Sequence, residues 1–151
     1  MPRTLGLDFG TKRIGAALSD PRRQIATPLE VYERRNSLRD AEHFCSVVRE
    51  EDVDRIVVGL PLHTAGHEGN LAAMAREFGA WISSKTGIPV VFFDERFTTA
   101  DAEESMREAG LRAKDRQSKR DMVAARLLLQ NYLDAGCPET EAPALPLDDE
   151  P

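Results

Sequence analysis

The sequence predicts an α/β protein: a five-stranded mixed sheet, antiparallel over its first three strands, with helices on both faces. Three observations predict it. Thr4 to Leu7 and Ile14 to Leu18 are apolar runs joined by a short turn containing Gly10, the pattern of a hairpin. Arg55 to Leu60 and Val90 to Phe93 are near-continuous apolar runs of buried-strand length. Between and after these runs lie segments with apolar residues at helical spacing, so the later strands are joined by crossovers and run parallel.

The elements follow in order. Ile25 to Val31 reads as a third strand, where Pro28 implies an edge or a bulge. Ser37-Leu38-Arg39-Asp40 opens a helix, with Ser37 as N-cap and Leu38, Ala41, Cys45 and Val48 as its apolar positions. Pro61 ends the central strand, and a loop through Thr64-Ala65-Gly66 leads to Asn70. Leu71, Met74, Ala75, Phe78, Trp81 and Ile82 then form the expected buried stripe of a long helix, broken by Gly87-Ile88-Pro89. Thr98 or Thr99 caps a further helix through Ala109, closed by Gly110. The stretch to Arg120 reads as a basic loop. A last helix is expected from about Ser118 to Leu133, with Ser118 and Asp121 spaced as a capping box and Val123, Leu127, Leu128 and Tyr132 facing the core.

A length of 151 residues favours one domain, placed at 1–136, followed by an acidic, Pro-containing tail at 137–151 that is expected to be disordered. No apolar run approaches the ~20 residues of a membrane helix, and the N-terminus lacks a signal peptide's apolar core. Cys45 and Cys137 are too scattered for a disulfide scaffold or a zinc site. The expected compartment is the cytoplasm, with no membrane partner. Net charge is −6, which by itself argues against nucleic acid. The distribution of that charge points the other way. The tail holds five acids and no Lys or Arg, leaving 20 cations against 21 anions elsewhere. Arg112, Lys114, Arg116, Lys119 and Arg120 are crowded together against Asp115 alone. A solvated surface segment is the plain alternative.

Ligands gather at the carboxyl ends of strands in open α/β sheets. Asp8 falls at one such end and the Asp94-Glu95 pair at another; strand alternation allows only one of that pair into a shared site and does not choose between them. Asp121, expected in the first turn of the last helix, is the third acid. Clustered carboxylates repel, and two divalent cations would offset the repulsion and supply phosphoryl-transfer chemistry. Simpler roles compete: Asp8 and Gly10 as turn formers, Asp121 as a helix N-terminal acid, Glu95 as partner of Arg96. His43, His63 and His67 make no convincing metal set, and no serine or cysteine has nucleophile context.

These residues resemble the YqgF family of pre-16S rRNA nucleases and Holliday-junction resolvases. Leu7-Asp8-Phe9-Gly10-Thr11-Lys12-Arg13-Ile14-Gly15 carries the opening motif, and Val57-Val58-Gly59-Leu60-Pro61 the central one. Asp94-Glu95-Arg96-Phe97-Thr98-Thr99-Ala100 carries the third and Asp121-Met122-Val123-Ala124-Ala125 the fourth. The resemblance implies a ribonuclease H-like fold and Asp8, Glu95 and Asp121 as catalytic metal ligands for Mg²⁺ or Mn²⁺. It also implies a phosphodiester hydrolase, acting on RNA in ribosome biogenesis or on branched DNA, while the acidic tail and weak overall basicity keep a non-catalytic RNA-binding assembly factor as an alternative. The chain would act as a monomer or homodimer, with Lys12, Arg13, Arg96, Arg112, Lys114, Arg116, Lys119 and Arg120 contacting nucleic acid. One departure stands out: RuvC-type resolvases carry another acid one helical turn after the position of Asp121, where this chain has Ala124.

Overall fold

In the computed structural model, β1 (Arg3–Asp8), β2 (Arg13–Ser19), β3 (Ala26–Glu33), β4 (Val53–Leu60) and β5 (Val90–Asp94) form one sheet ordered β3-β2-β1-β4-β5. Among the described residues the helices are α1 (Ser37–Glu50), α2 (Asn70–Thr86) and α3 (Ala113–Asp134). The structure describes residues 2–60, 69–94 and 113–139, with 94 and 113–118 described by their backbone alone. β1, β2 and β3 are antiparallel neighbours, whereas β4 runs parallel to β1 and β5 parallel to β4. Asp8, Leu60 and Asp94 therefore end their strands at one edge of the sheet. β3 lies at the margin, and Pro28 pairs with Ala17 beside a register shift, so Pro28 marks both an edge and a bulge.

Strand alternation divides the side chains between two cores. Leu5, Leu7, Ile14, Ala16, Ile56 and Val58 pack with Phe44 of α1 and Ala75, Phe78 and Ile82 of α2. Ala17, Val57 and Val91 pack on the opposite face with Ala125, Leu129, Tyr132 and Leu133 of α3. Helices cover both faces, as expected. Among the described residues no helix is long and apolar enough to cross a membrane.

Several expected details differ. The N-cap of α1 is Asn36 rather than Ser37, its Oδ1 accepting the Arg39 N–H at 2.9 Å. Its buried residues are Asp40 and Phe44, while Leu38 is exposed. Burying a carboxylate displaces the apolar spacing read from the sequence. On α2 the buried set is Ala72, Ala75, Phe78, Gly79 and Ile82, and both Leu71 and Met74 are exposed. Gly87 ends that helix in the left-handed conformation, φ 76°. α3 begins at Ala113, not near Ser118, so the basic stretch from Lys114 to Arg120 is helical rather than a loop. Ala, Lys, Arg and Gln are strong helix formers, and no Gly or Pro interrupts them. Asp121 consequently lies well inside the helix, and the Ser118–Asp121 spacing does not mark its start. Val123 and Leu127 are half-buried, and Ala124, Ala125, Leu128, Leu129, Tyr132 and Leu133 are the buried residues. The loop through Thr64–Gly66 and the helix expected from Thr98 or Thr99 to Ala109 lie outside the described residues.

Asp40 is buried because its carboxylate is well partnered. It accepts the Tyr32 hydroxyl at 2.7 Å, the Arg35 N–H at 3.0 Å and Arg34 Nε at 3.4 Å. Burial alone would raise its pKa, but the Arg35 N–H, Tyr32 hydroxyl and Arg34 guanidinium together hold the carboxyl below its ordinary value. Burial and Asp40 in turn push the Tyr32 hydroxyl up to about 12. A carboxyl depressed in the folded state contributes stability above its unfolded pKa, and that contribution is lost as pH falls through the folded value. Asp40→Asn is expected to lower the unfolding free energy by about 1–3 kcal/mol at neutral pH. Urea titrations should show the gap to the native protein narrowing below about pH 4; a gap unchanged in acid would remove the ionised carboxyl from this account.

Candidate active site

β1 delivers Asp8 to the sheet's edge, the 9–12 turn reverses the chain, and β2 departs at Arg13. Asp8 stands opposite Gly15 in the antiparallel register. Alternation puts Asp8 on the same face as Gly6, the face that α3 covers. The helix comes very close there. A Cβ on Gly15 would lie 2.3 Å from the Asp121 carbonyl oxygen, and one on Gly6 would lie 2.9 Å from Leu129 Cβ. Only a strand without side chains at these points lets α3 settle so near. Asp8 and Asp121, remote in sequence, thus flank a single glycine.

Arg13 fixes the second acid. Its Nε donates to Asp121 Oδ2 at 2.9 Å, a part-buried ion pair across 108 residues of chain. The Asp121 side chain is 19% exposed, so Arg13 offsets part of the cost of desolvating its carboxylate. A cavity of about 300 Å³ opens here, lined by the 9–13 turn, Leu71 of α2 and Asp121. Lys12 is exposed in that turn and Lys119 is exposed two residues before Asp121. One acid, Asp121, thus lines the cavity together with the exposed cation Lys12.

Of the expected site residues, Asp8, Lys12, Arg13, Lys119, Arg120 and Asp121 are described. Lys114 and Arg116 are placed by their backbone in the first turns of α3. Glu95, Arg96 and Arg112, and the pair His63 and His67, lie outside the described residues. Among the described residues no group of three His, Cys, Asp or Glu is arranged to hold a metal ion. The two acids present are hard oxygen donors, suited to Mg²⁺ or Mn²⁺ and ill suited to thiophilic metals.

Sequence reasoning missed Phe9, Arg34 and Leu71. Phe9 follows Asp8 with opposite strand parity and packs on Phe78, centroids 5.1 Å apart. The Arg34 N–H donates to the Lys12 carbonyl at 2.9 Å, and its guanidinium lies 5.5 Å from the Phe9 ring centroid. The double arginine following an edge strand was the available signal for Arg34.

A family model described as "RuvX: Holliday junction resolvase" matches residues 2–135. A relative from Anaplasma marginale, named "Putative pre-16S rRNA nuclease", is 43% identical over 132 residues, 87% of this chain and 84% of that protein. One of the same name from Rhodopirellula baltica is 39% identical over 133 residues, covering 88% and 77% respectively. Among solved structures the fold is similar to T. thermophilus RuvC in complex with a Holliday junction substrate. That match has a TM-score of 0.56 at 16% identity, over 92% of this chain and 98% of that one.

Gly15→Ala places a methyl group against the backbone of α3, which cannot move aside as a flexible side chain would. Urea denaturation should show a loss of about 1–3 kcal/mol. Unchanged stability would mean that the helix does not need this approach.

Proposed function

We propose, because the chain belongs to the RuvX family, that it is a metal-dependent nuclease hydrolysing phosphodiester bonds in RNA, with the 5′ end of pre-16S rRNA as its substrate and the cytoplasm as its compartment. The observation that carries this reading is the backbone arrangement at the edge where the parallel strands end: Asp8 stands opposite Gly15, and the Asp121 main chain lies against that same glycine. Names of the relatives from Anaplasma marginale and Rhodopirellula baltica point to the same substrate.

Asp8, Asp121 and Glu95 would hold Mg²⁺ or Mn²⁺. When bound, these ions activate water for in-line attack and neutralise charge on the phosphate and the leaving oxygen. Arg13 keeps Asp121 oriented through its bond to Oδ2. Lys12, Lys119 and Arg120, joined by Lys114, Arg116, Arg96 and Arg112, contact backbone phosphates and position the strand without reading its sequence. Ala124, one turn beyond Asp121, is buried and adds no acid to the site. That favours the RNA reading over the resolvase reading, which rests on the family description and the RuvC-like fold.

A labelled precursor rRNA and a four-way DNA junction, each incubated with Mn²⁺, separate the two readings. Asp8→Asn is expected to abolish RNA cleavage without loss of folding, as followed by circular dichroism. Cleavage that survives this substitution with an unchanged metal titration refutes the assignment, and preferential cutting of the junction transfers it to DNA. Charge reversal at an exposed position tests the phosphate contacts separately. Lys119→Glu should weaken RNA binding across all sequences and reduce the slope of log affinity against log salt by roughly 1. An unaltered slope would take Lys119 out of the interface.

A further inference from the structure

A second cavity, of about 250 Å³, opens beside the first. Phe9, Phe78 and Trp81 form its aromatic wall, with successive ring centroids 5.1 and 5.8 Å apart. The Arg34 guanidinium lies over the Phe9 and Phe78 rings at 5.5 and 5.6 Å. Met74 adds a polarizable edge, while Ser37 and Glu77 supply polar groups at the rim.

The two cavities form one track. Phe9 lines both, and Arg34 is tied by its backbone to Lys12 in the turn that lines the first. Leu71 in the first cavity and Met74 in the second are neighbours on the surface of α2, about one turn apart. Both are large apolar residues left 45% and 41% exposed on a helix whose core is filled by other positions. The volume falls below the range of drug-sized pockets and suits one planar ring system, not a base pair. Ring faces, a guanidinium plane and a polar rim together are the chemistry that seats an unstacked base.

We infer that this cavity receives an unpaired nucleobase next to the scissile phosphate at the metal site that Asp8 and Asp121 would help to form, so that the substrate is single-stranded where it is cut. The inference rests on the nuclease reading above and narrows its substrate class.

Trp81 is the sole tryptophan of the sequence, so its emission reports on this cavity alone. The full-length Asp8→Asn protein is titrated with a single-stranded oligoribonucleotide, an abasic strand of equal length, and the same sequence as a duplex. Saturable quenching by the base-bearing single strand alone is the expected result. In the otherwise native enzyme, Met74→Asp should raise KM for RNA roughly tenfold while kcat holds, consistent with losing one stacked base. If RNA is cleaved but the abasic strand or duplex binds equally well with no change in Trp81 emission, the subsite is refuted and the nuclease stands. A protein that neither binds nor cleaves any nucleic acid loses both assignments. Emission that shifts with protein concentration alone makes the cavity a contact between two copies, which also overturns the inference.

Discussion

The site depends on how closely α3 approaches the β1–β2 hairpin. Three forces divide that work. Burial of Leu128, Leu129 and Tyr132 drives the helix onto the sheet. Gly6 and Gly15 set its height by removing the side chains that would hold it off. The Arg13–Asp121 bond and the Gln130 side chain then resist rotation about the helix axis. Gln130 accepts the Ala26 N–H and donates to the Gln24 carbonyl, both at 2.9 Å, stitching the helix to the start of β3. A carboxylate on a helix surface thereby acquires a fixed position relative to one at a strand end.

The opposite face supports the same turn by different means. Asp40 is a buried anion at the start of α1, and its partners Tyr32, Arg34 and Arg35 come from the end of β3 and the link to that helix. Arg34 is the hinge of this arrangement. It serves the Asp40 carboxylate, covers Phe9 and Phe78, and holds Lys12 by a backbone bond. The turn that lines the cavity is therefore anchored from both sides of the sheet, which fixes the backbone that carries Lys12 and Arg13.

Much of this architecture is legible in the residues, for definable reasons. Apolar runs mark the strands, and the short turn at Gly10 marks the hairpin, because those signals are local. Asp8 is legible as a strand-end acid on the same grounds. What escapes reading is set by tertiary partners. Asp40 buries itself by finding three donors, so the apolar spacing of α1 points one face away from the true one. Leu71 and Met74 fit a buried stripe by period but face a cavity instead. The basic run before Asp121 resembles a solvated loop by its charge density, although its residues are good helix formers. The Arg13–Asp121 pair has no local signature at all, its members being 108 positions apart.

The far end of α3 has a consequence of its own. The Tyr132 hydroxyl donates to the Pro138 carbonyl at 2.6 Å and accepts from Arg55 Nη1 at 3.0 Å, while Arg55 also pairs with Glu139 at 3.6 Å. Arg55 belongs to the opening of β4, at the pole of the sheet remote from the cavities, and Tyr132 lies about 16 Å along the helix axis from Asp121. An immobilising linkage made at Glu139 itself would thus hold the molecule from the pole opposite its cleft, leaving that cleft turned away from the support.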